Sequence, residues 1–140
     1  MGLQRNLTLP NDINAVSQLN EFLDIICEEL GVDMSTNMSL NLAMEEAVVN
    51  VMSYAYPEGT EGKVNIEVVA DDYKMVFVIT DSGKPFDPTK KAAVDTTLPL
   101  EQRAIGGLGI HLIRQIMDEV TYQRKGDQNI LTLIKNIKSK

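Results

Sequence analysis

Cysteine and histidine are almost missing from this sequence: its 140 residues contain one of each, Cys27 and His111. A lone cysteine forms no internal disulfide and a lone histidine builds no histidine-cluster metal site. Zinc fingers, Cys–His nucleophiles and disulfide scaffolds are thereby excluded. Cys27 lies in an apolar helical stretch, where an inert buried thiol is the expectation. No apolar run approaches the roughly 20 residues needed to cross a bilayer. Met1 to Pro10 lacks the continuous apolar stretch of a secretory signal. The expectation is a cytoplasmic protein that does not engage membrane. Positive charge is also scarce: 13 Lys and Arg stand against 20 Asp and Glu, a formal charge of −7. Such a balance draws neither DNA nor an anionic membrane non-specifically, so no direct nucleic-acid partner is expected. A nucleotide remains admissible, because a phosphate site needs only local donors and usually a metal.

The length fits one domain, residues 1–140, with enough chain to bury a core. Apolar residues make up 44% and charged residues 24%, ordinary values for a globular protein. Gln4 to Leu9 alternates and ends at Pro10, predicting a first strand. Asn11 or Asp12 caps the helix that follows, in which Ile13, Val16, Leu19, Leu23, Ile26 and Leu30 recur at helical spacing until Gly31. A second helix is predicted from near Ser35 or Thr36 to about Tyr56. Its apolar stripe is Leu40, Ala43, Ala47 and Val51, and Pro57 and Gly59 stop it. Lys63 to Ala70 and Lys74 to Thr80 read as a hairpin turned at residues 71–73. From Asp81 to Arg103 the pattern dissolves into a loop too long for a compact domain unless it is functional, as a lid is. Gly106, Gly107 and Gly109 then open a third helix, to about Met117. Two last strands, Glu119 to Arg124 and Ile130 to Ile137, flank a turn at Gly126 and Asp127. Hairpin-joined strands and grouped helices predict an α+β fold, a two-layer sandwich of mostly antiparallel sheet with three helices on one face. They argue against a doubly wound parallel sheet.

Three constellations carry chemistry. On the second helix Glu46 and Asn50 are four residues apart and share a face. A carboxylate beside an amide oxygen suits a hard cation such as Mg²⁺, or the carboxylate takes a proton from a nucleophile, or the face is merely solvated. Asn50 is a poor mid-helix residue set among valines and Met52, and a polar residue there needs a partner or a task. Next, Asp81-Ser82-Gly83-Lys84-Pro85-Phe86-Asp87 ends a strand. An aspartate there is an acceptor for an exocyclic amine, with Gly83 permitting close approach, or the segment is a plain hairpin exit. Last, Gly106-Gly107-Leu108-Gly109-Ile110 begins a helix, where backbone N–H groups and the helix dipole favour phosphate oxygens. A flexible hinge is the other reading. There is no Walker A lysine, and the glycines follow a loop rather than a strand.

In order and spacing these segments resemble the motifs of the gyrase/chaperone/histidine-kinase ATPase superfamily, whose ATP-binding domain is the Bergerat fold. Glu46-Ala47-Val48-Val49-Asn50 is similar to its N box. Asp81-x-Gly83-x-Pro85-Phe86 is similar to its first glycine box, and Gly106-Gly107-Leu108-Gly109-Ile110 to its second. Within the superfamily the chain most resembles the anti-sigma-factor serine kinases, over about Leu7 to Lys135. The resemblance implies ATP and Mg²⁺ as cofactors. It implies Asn50 as the Mg²⁺ ligand and Glu46 as the catalytic general base. Asp81 would read the adenine amino group and Gly83 would leave room for the ring, with Phe86 of the same box also lining the nucleotide site. Gly106, Gly107, Leu108 and Gly109 would offer backbone N–H groups to the phosphates. Asn129 or Thr132 would help at the adenine end, and residues 88–105 would form a lid in which Lys90, Lys91 or Arg103 meets phosphate charge. Where the family commonly has His-Ala-Tyr, this chain has Tyr54-Ala55-Tyr56, which places it away from the best-known members. The implied function is a serine/threonine protein kinase and anti-sigma factor that phosphorylates an anti-sigma-factor antagonist. A sigma factor is a second implied partner, and pairing into a homodimer is implied by the relatives' habit. A non-catalytic, ATP-binding regulatory module is the alternative.

Overall fold

The computed structural model describes residues 2–57, 59–90 and 105–137. Strand β1, Leu3–Pro10, leads through a short 3-10 turn at Ile13–Ala15 into helix α1, Val16–Leu30. The Asp12 carboxylate accepts from the Asn14 N–H at 3.0 Å and so caps this entry. Gly31 closes α1 with φ 70°, a left-handed conformation that costs a glycine little. Helix α2, Met34–Tyr54, begins on Asp33, whose carboxylate accepts from the Thr36 N–H at 2.7 Å. Strands β2, Lys63–Ala70, and β3, Lys74–Asp81, form a hairpin. A 3-10 turn at Pro88–Lys90 follows, then helix α3, Ile105–Ile116, and the hairpin of β4, Glu119–Lys125, and β5, Gln128–Asn136.

The five strands make one antiparallel sheet in the order β1-β2-β3-β5-β4. Residues alternate between its two faces, and burial follows the same period in β2, β3 and β5. One face, with Leu9, Val64, Ile66, Val68, Met75, Phe77, Ile79, Leu131 and Leu133, packs under the helices. From α1 it meets Leu19, Leu23 and Ile26, from α2 Leu40, Ala43, Met44, Ala47 and Val48, and from α3 Ile113. The α+β sandwich expected from the sequence is the observed fold. Element ends differ by one or two residues at α2 and α3, where the sequence offers several adjacent caps. The expected lid falls almost wholly outside the described residues, as do Lys91 and Arg103. No helix among the described residues is long and apolar enough to cross a membrane.

Candidate nucleotide site

Helix α2 carries the first part of the site. Glu46, Asn50 and Tyr54 succeed one another at four-residue spacing, so they line one stripe of the helix. Asn50 is buried, with 3% of its surface exposed, and Glu46 is half-buried. The stripe ends against the loop that follows β3, where the Tyr54 ring stacks on Phe86 with centroids 5.4 Å apart. Lys84 N–H donates to the Ala55 carbonyl at 2.8 Å, just beyond the helix end. The Tyr56 hydroxyl accepts from Ser82 N–H at 3.0 Å and donates to the Lys63 carbonyl at 2.7 Å. The tyrosines of the departed His-Ala-Tyr motif thus fasten the end of α2 to both strands of the first hairpin.

Gly83 is fixed by this contact. A Cβ there would lie 2.3 Å from the Ala55 carbonyl oxygen and 2.7 Å from its carbon. The glycine is therefore demanded by the helix end against which it packs, a constraint separate from any ligand. Phe86 likewise has a structural partner in Tyr54.

Asp81 ends β3 on the helix-covered face, in line with Met75, Phe77 and Ile79, and is buried. Directly across the ladder stands Asn129 of β5, also buried. Its amide N–H groups donate to Asp81 Oδ1 at 2.9 Å and to the Lys84 carbonyl at 2.8 Å. Its oxygen accepts from Phe86 N–H at 3.2 Å and from the Tyr122 hydroxyl. Gly83 N–H adds a second bond to Asp81 Oδ1 at 2.8 Å. Arg124 holds the Gly83 carbonyl at 2.8 Å. Burial pushes the Asp81 carboxyl above the usual carboxylate range. The Asn129 and Gly83 hydrogen bonds and the Arg124 charge pull the other way without cancelling it.

The sequence left Asn129 and Thr132 as alternatives, and the structure separates them. Asn129 shares its face with Leu131 and Leu133 under the helices. Thr132 projects from the opposite face, between Val78 and Thr121. Of the two, only Asn129 stands beside Asp81, and its amide is already spent on protein partners. Tyr122 and Arg124, which complete this network, carried no motif signal. The strand alternation that sets Asn129 in phase with Leu131 and Leu133 is the signal that points to it.

The glycine segment Gly106–Gly109 forms the first turn of α3, where backbone N–H groups have no partner within the helix. Helix α3 packs against α2, so this turn and the Glu46–Asn50 stripe belong to neighbouring elements. The oxygen ligands that Asn50 and Glu46 would offer suit a hard cation. Among the described residues no group of three or more His, Cys, Asp or Glu could hold a metal by itself.

A domain with this sheet, this helix layer and these three segments is an ATPase domain of the histidine-kinase type. The family model described as "Histidine kinase-like ATPase domain" matches residues 9–135, and the chain belongs to that family. Among curated relatives it is similar to the serine-protein kinase RsbW of Staphylococcus epidermidis, at 30% identity covering 94% of this chain and 86% of the relative. RsbW of Listeria monocytogenes matches at 29% identity over 90% of this chain and 83% of the relative. The serine/threonine-protein kinase BtrW of Bordetella bronchiseptica matches at 30% identity over 68% and 67%. The crystal structure of the RsbU and RsbW domains of Rv1364c from Mycobacterium tuberculosis superposes with a TM-score of 0.69 at 17% identity. That match covers 96% of this chain and about a third, 32%, of the other, and it bears on the fold alone. The resemblance read from the three motifs is thus the family found, ATP use comes with it, and the chain stands among its serine/threonine-protein kinases.

Proposed function

We propose that this chain is a cytoplasmic, single-domain anti-sigma factor that uses Mg²⁺ and ATP to phosphorylate a serine or threonine of an anti-sigma-factor antagonist, and so regulates transcription. The observation that carries the reading is the end of α2. There the Glu46–Asn50–Tyr54 stripe meets the loop of the buried, clamped Asp81, which supports reading these residues as a base, an oxygen ligand and an amine acceptor of one site. Asp81 Oδ1 is taken by Asn129 and Gly83, and Oδ2 is the oxygen that accepts from the adenine amine. The first turn of α3, residues 106–109, receives phosphate oxygens. Asn50 would hold Mg²⁺, which would supply neutralisation of phosphate charge. Glu46 takes the proton of the attacking hydroxyl as its oxygen bonds to the γ-phosphorus and ADP leaves.

The test is Glu46→Ala, assayed for transfer of labelled phosphate to the antagonist beside a nucleotide titration. Transfer is expected to fall by a factor of about 100 or more, with ATP affinity within about threefold of the parent. Unchanged transfer removes Glu46 as the base. Wild-type ATP binding without any transfer favours the non-catalytic regulatory module.

Sigma-factor sequestration is the companion role, with the acids of α1 as the surface for a basic partner. Of these, Glu29 pairs with Arg5 at 2.9 Å and Asp24 accepts from Asn41 at 3.2 Å through Oδ1, while Glu21 and Glu28 complete the acidic face. Pairing of two copies is part of the same proposal, and sedimentation equilibrium tests it.

A further inference from the structure

On the far side of α2 from its buried core stripe, the start of the helix presents apolar side chains to solvent. Met34, Met38 and Leu42 follow one another at four-residue spacing and are 73%, 66% and 47% exposed. They extend along about 12 Å of helix, a little over two turns. Between them and α1 runs a groove of about 920 Å³, with Cys27 and Val32 among its lining. Asp24, Glu28 and Glu45 also line it, and among the described residues no lysine, arginine or histidine does. The walls are held by side chains. Asn41 Nδ2 donates to Asp24 Oδ1 at 3.2 Å and to Asn37 Oδ1 at 2.7 Å, and Asn20 donates to the Asn41 oxygen at 2.9 Å. The acidity of the groove is felt locally. Burial first, and then the Asp24 charge, push the Cys27 thiol up to about 11, so the cysteine is an inert part of the lining.

We infer that the α1–α2 groove is a docking site for a basic amphipathic α-helix of a partner protein, whose apolar side chains seat on Met34, Met38 and Leu42 while its lysines and arginines meet Asp24, Glu28 and Glu45. The shape favours a helix. A cleft between two helices with anchor points one turn apart matches residues spaced i, i+4 and i+7 on an incoming helix. Methionines suit such a surface because their unbranched side chains repack around different partners. The charge selects the partner. A second copy of this chain would set one acid-lined groove against another, and an anionic membrane would repel both. The inference shares Asp24 and Glu28 with the acidic face proposed above for a basic partner, but neither Asp81 nor the Glu46–Asn50 stripe lines this groove, so its failure would leave the kinase reading untouched.

The test uses the full chain and two synthetic helical peptides of about 18 residues, five turns each. One has leucine on one face and lysine on the other, and its counterpart has glutamate in place of lysine. Titration calorimetry should show the lysine peptide binding and the glutamate peptide not. Met34→Ser with Met38→Ser leaves the charge unchanged and should weaken the lysine peptide by about tenfold, the loss expected for removing anchor contacts, with ATP affinity unaltered. Glu28→Lys with Glu45→Lys should reverse the preference between the peptides. Three results would overturn the inference. One is equal binding by the serine variant, which is general attraction to an acidic chain. Another is binding of neither peptide. The last is a dimer that dissociates in the serine variant without peptide, which means that a second copy occupies the groove.

Discussion

Helix α2 is one rod with two different halves. From Ala43 onward it is packed: Ala43, Met44, Ala47, Val48, Asn50, Val51 and Met52 are all buried. Before that only Leu40 is, while Met34, Met38 and Leu42 face solvent. Both halves carry methionines, but they have different neighbours. The second half packs against α3 and the sheet and carries the Glu46, Asn50 and Tyr54 stripe proposed for the nucleotide site. The first half lies beside α1, and of its residues only Leu40 joins the core. An apolar residue on a helix is therefore evidence of a contact, and the contact is internal in one half and, on the inference drawn above, intermolecular in the other.

The sharpest way to break this comparison is to make one substitution in both halves. Met44→Ala removes a fully buried side chain and should cost about 2–5 kcal/mol, read as a fall in the midpoint of urea unfolding. Met38→Ala, at the exposed end, should change stability by no more than about 0.5 kcal/mol, the smallest effect expected here. A large loss at Met38 would mean that the first half is packed after all.

Between these extremes lies Asn129→Leu, which probes the far edge of the buried half. It removes the amide that draws the Asp81 carboxyl downward and leaves burial, which raises it, less opposed. The protonated form then persists to higher pH. ATP binding that needs the charged carboxylate should weaken by about tenfold near neutral pH, and its acid limb should move upward relative to the parent. A merely structural loss would lower affinity without shifting that limb. The linkage has the same sign in stability. An acid whose folded value is raised contributes most below its unfolded value, and that contribution fades as pH climbs through the folded one.

Most of this architecture was legible from the chain, because periods of two and of 3.6 residues mark faces wherever one side is buried. The stripe Leu40, Ala43, Ala47, Val51 is the buried one, and Asp81 ends its strand as read. The contacts between distant segments were not legible. That Asn129 faces Asp81 is a register between β3 and β5, strands with a helix and a hairpin turn between them, and local pattern does not encode it. Gly83 was read as room for a ring, whereas the approach of Ala55 already requires it. Tyr56 looked like the tail of a motif, and only the folded chain brings its hydroxyl between Ser82 and Lys63. Met34, Met38 and Leu42 drew no attention in sequence, since an unpartnered apolar stripe and a core stripe have one and the same spacing.

The pairing of Asp81 with Asn129 carries a consequence for evolution. These two residues face each other because β3 and β5 are aligned in one register and no other, and a shift by a single residue would send Asn129 to the opposite side of the sheet. The aim of the carboxylate is thus inherited from the alignment of two whole strands, many residues deep. On the adenine-reading role proposed for Asp81, mutations far along those strands that loosen their alignment will blur ligand choice before they unfold the protein, while loop changes nearby can accumulate with the aim intact.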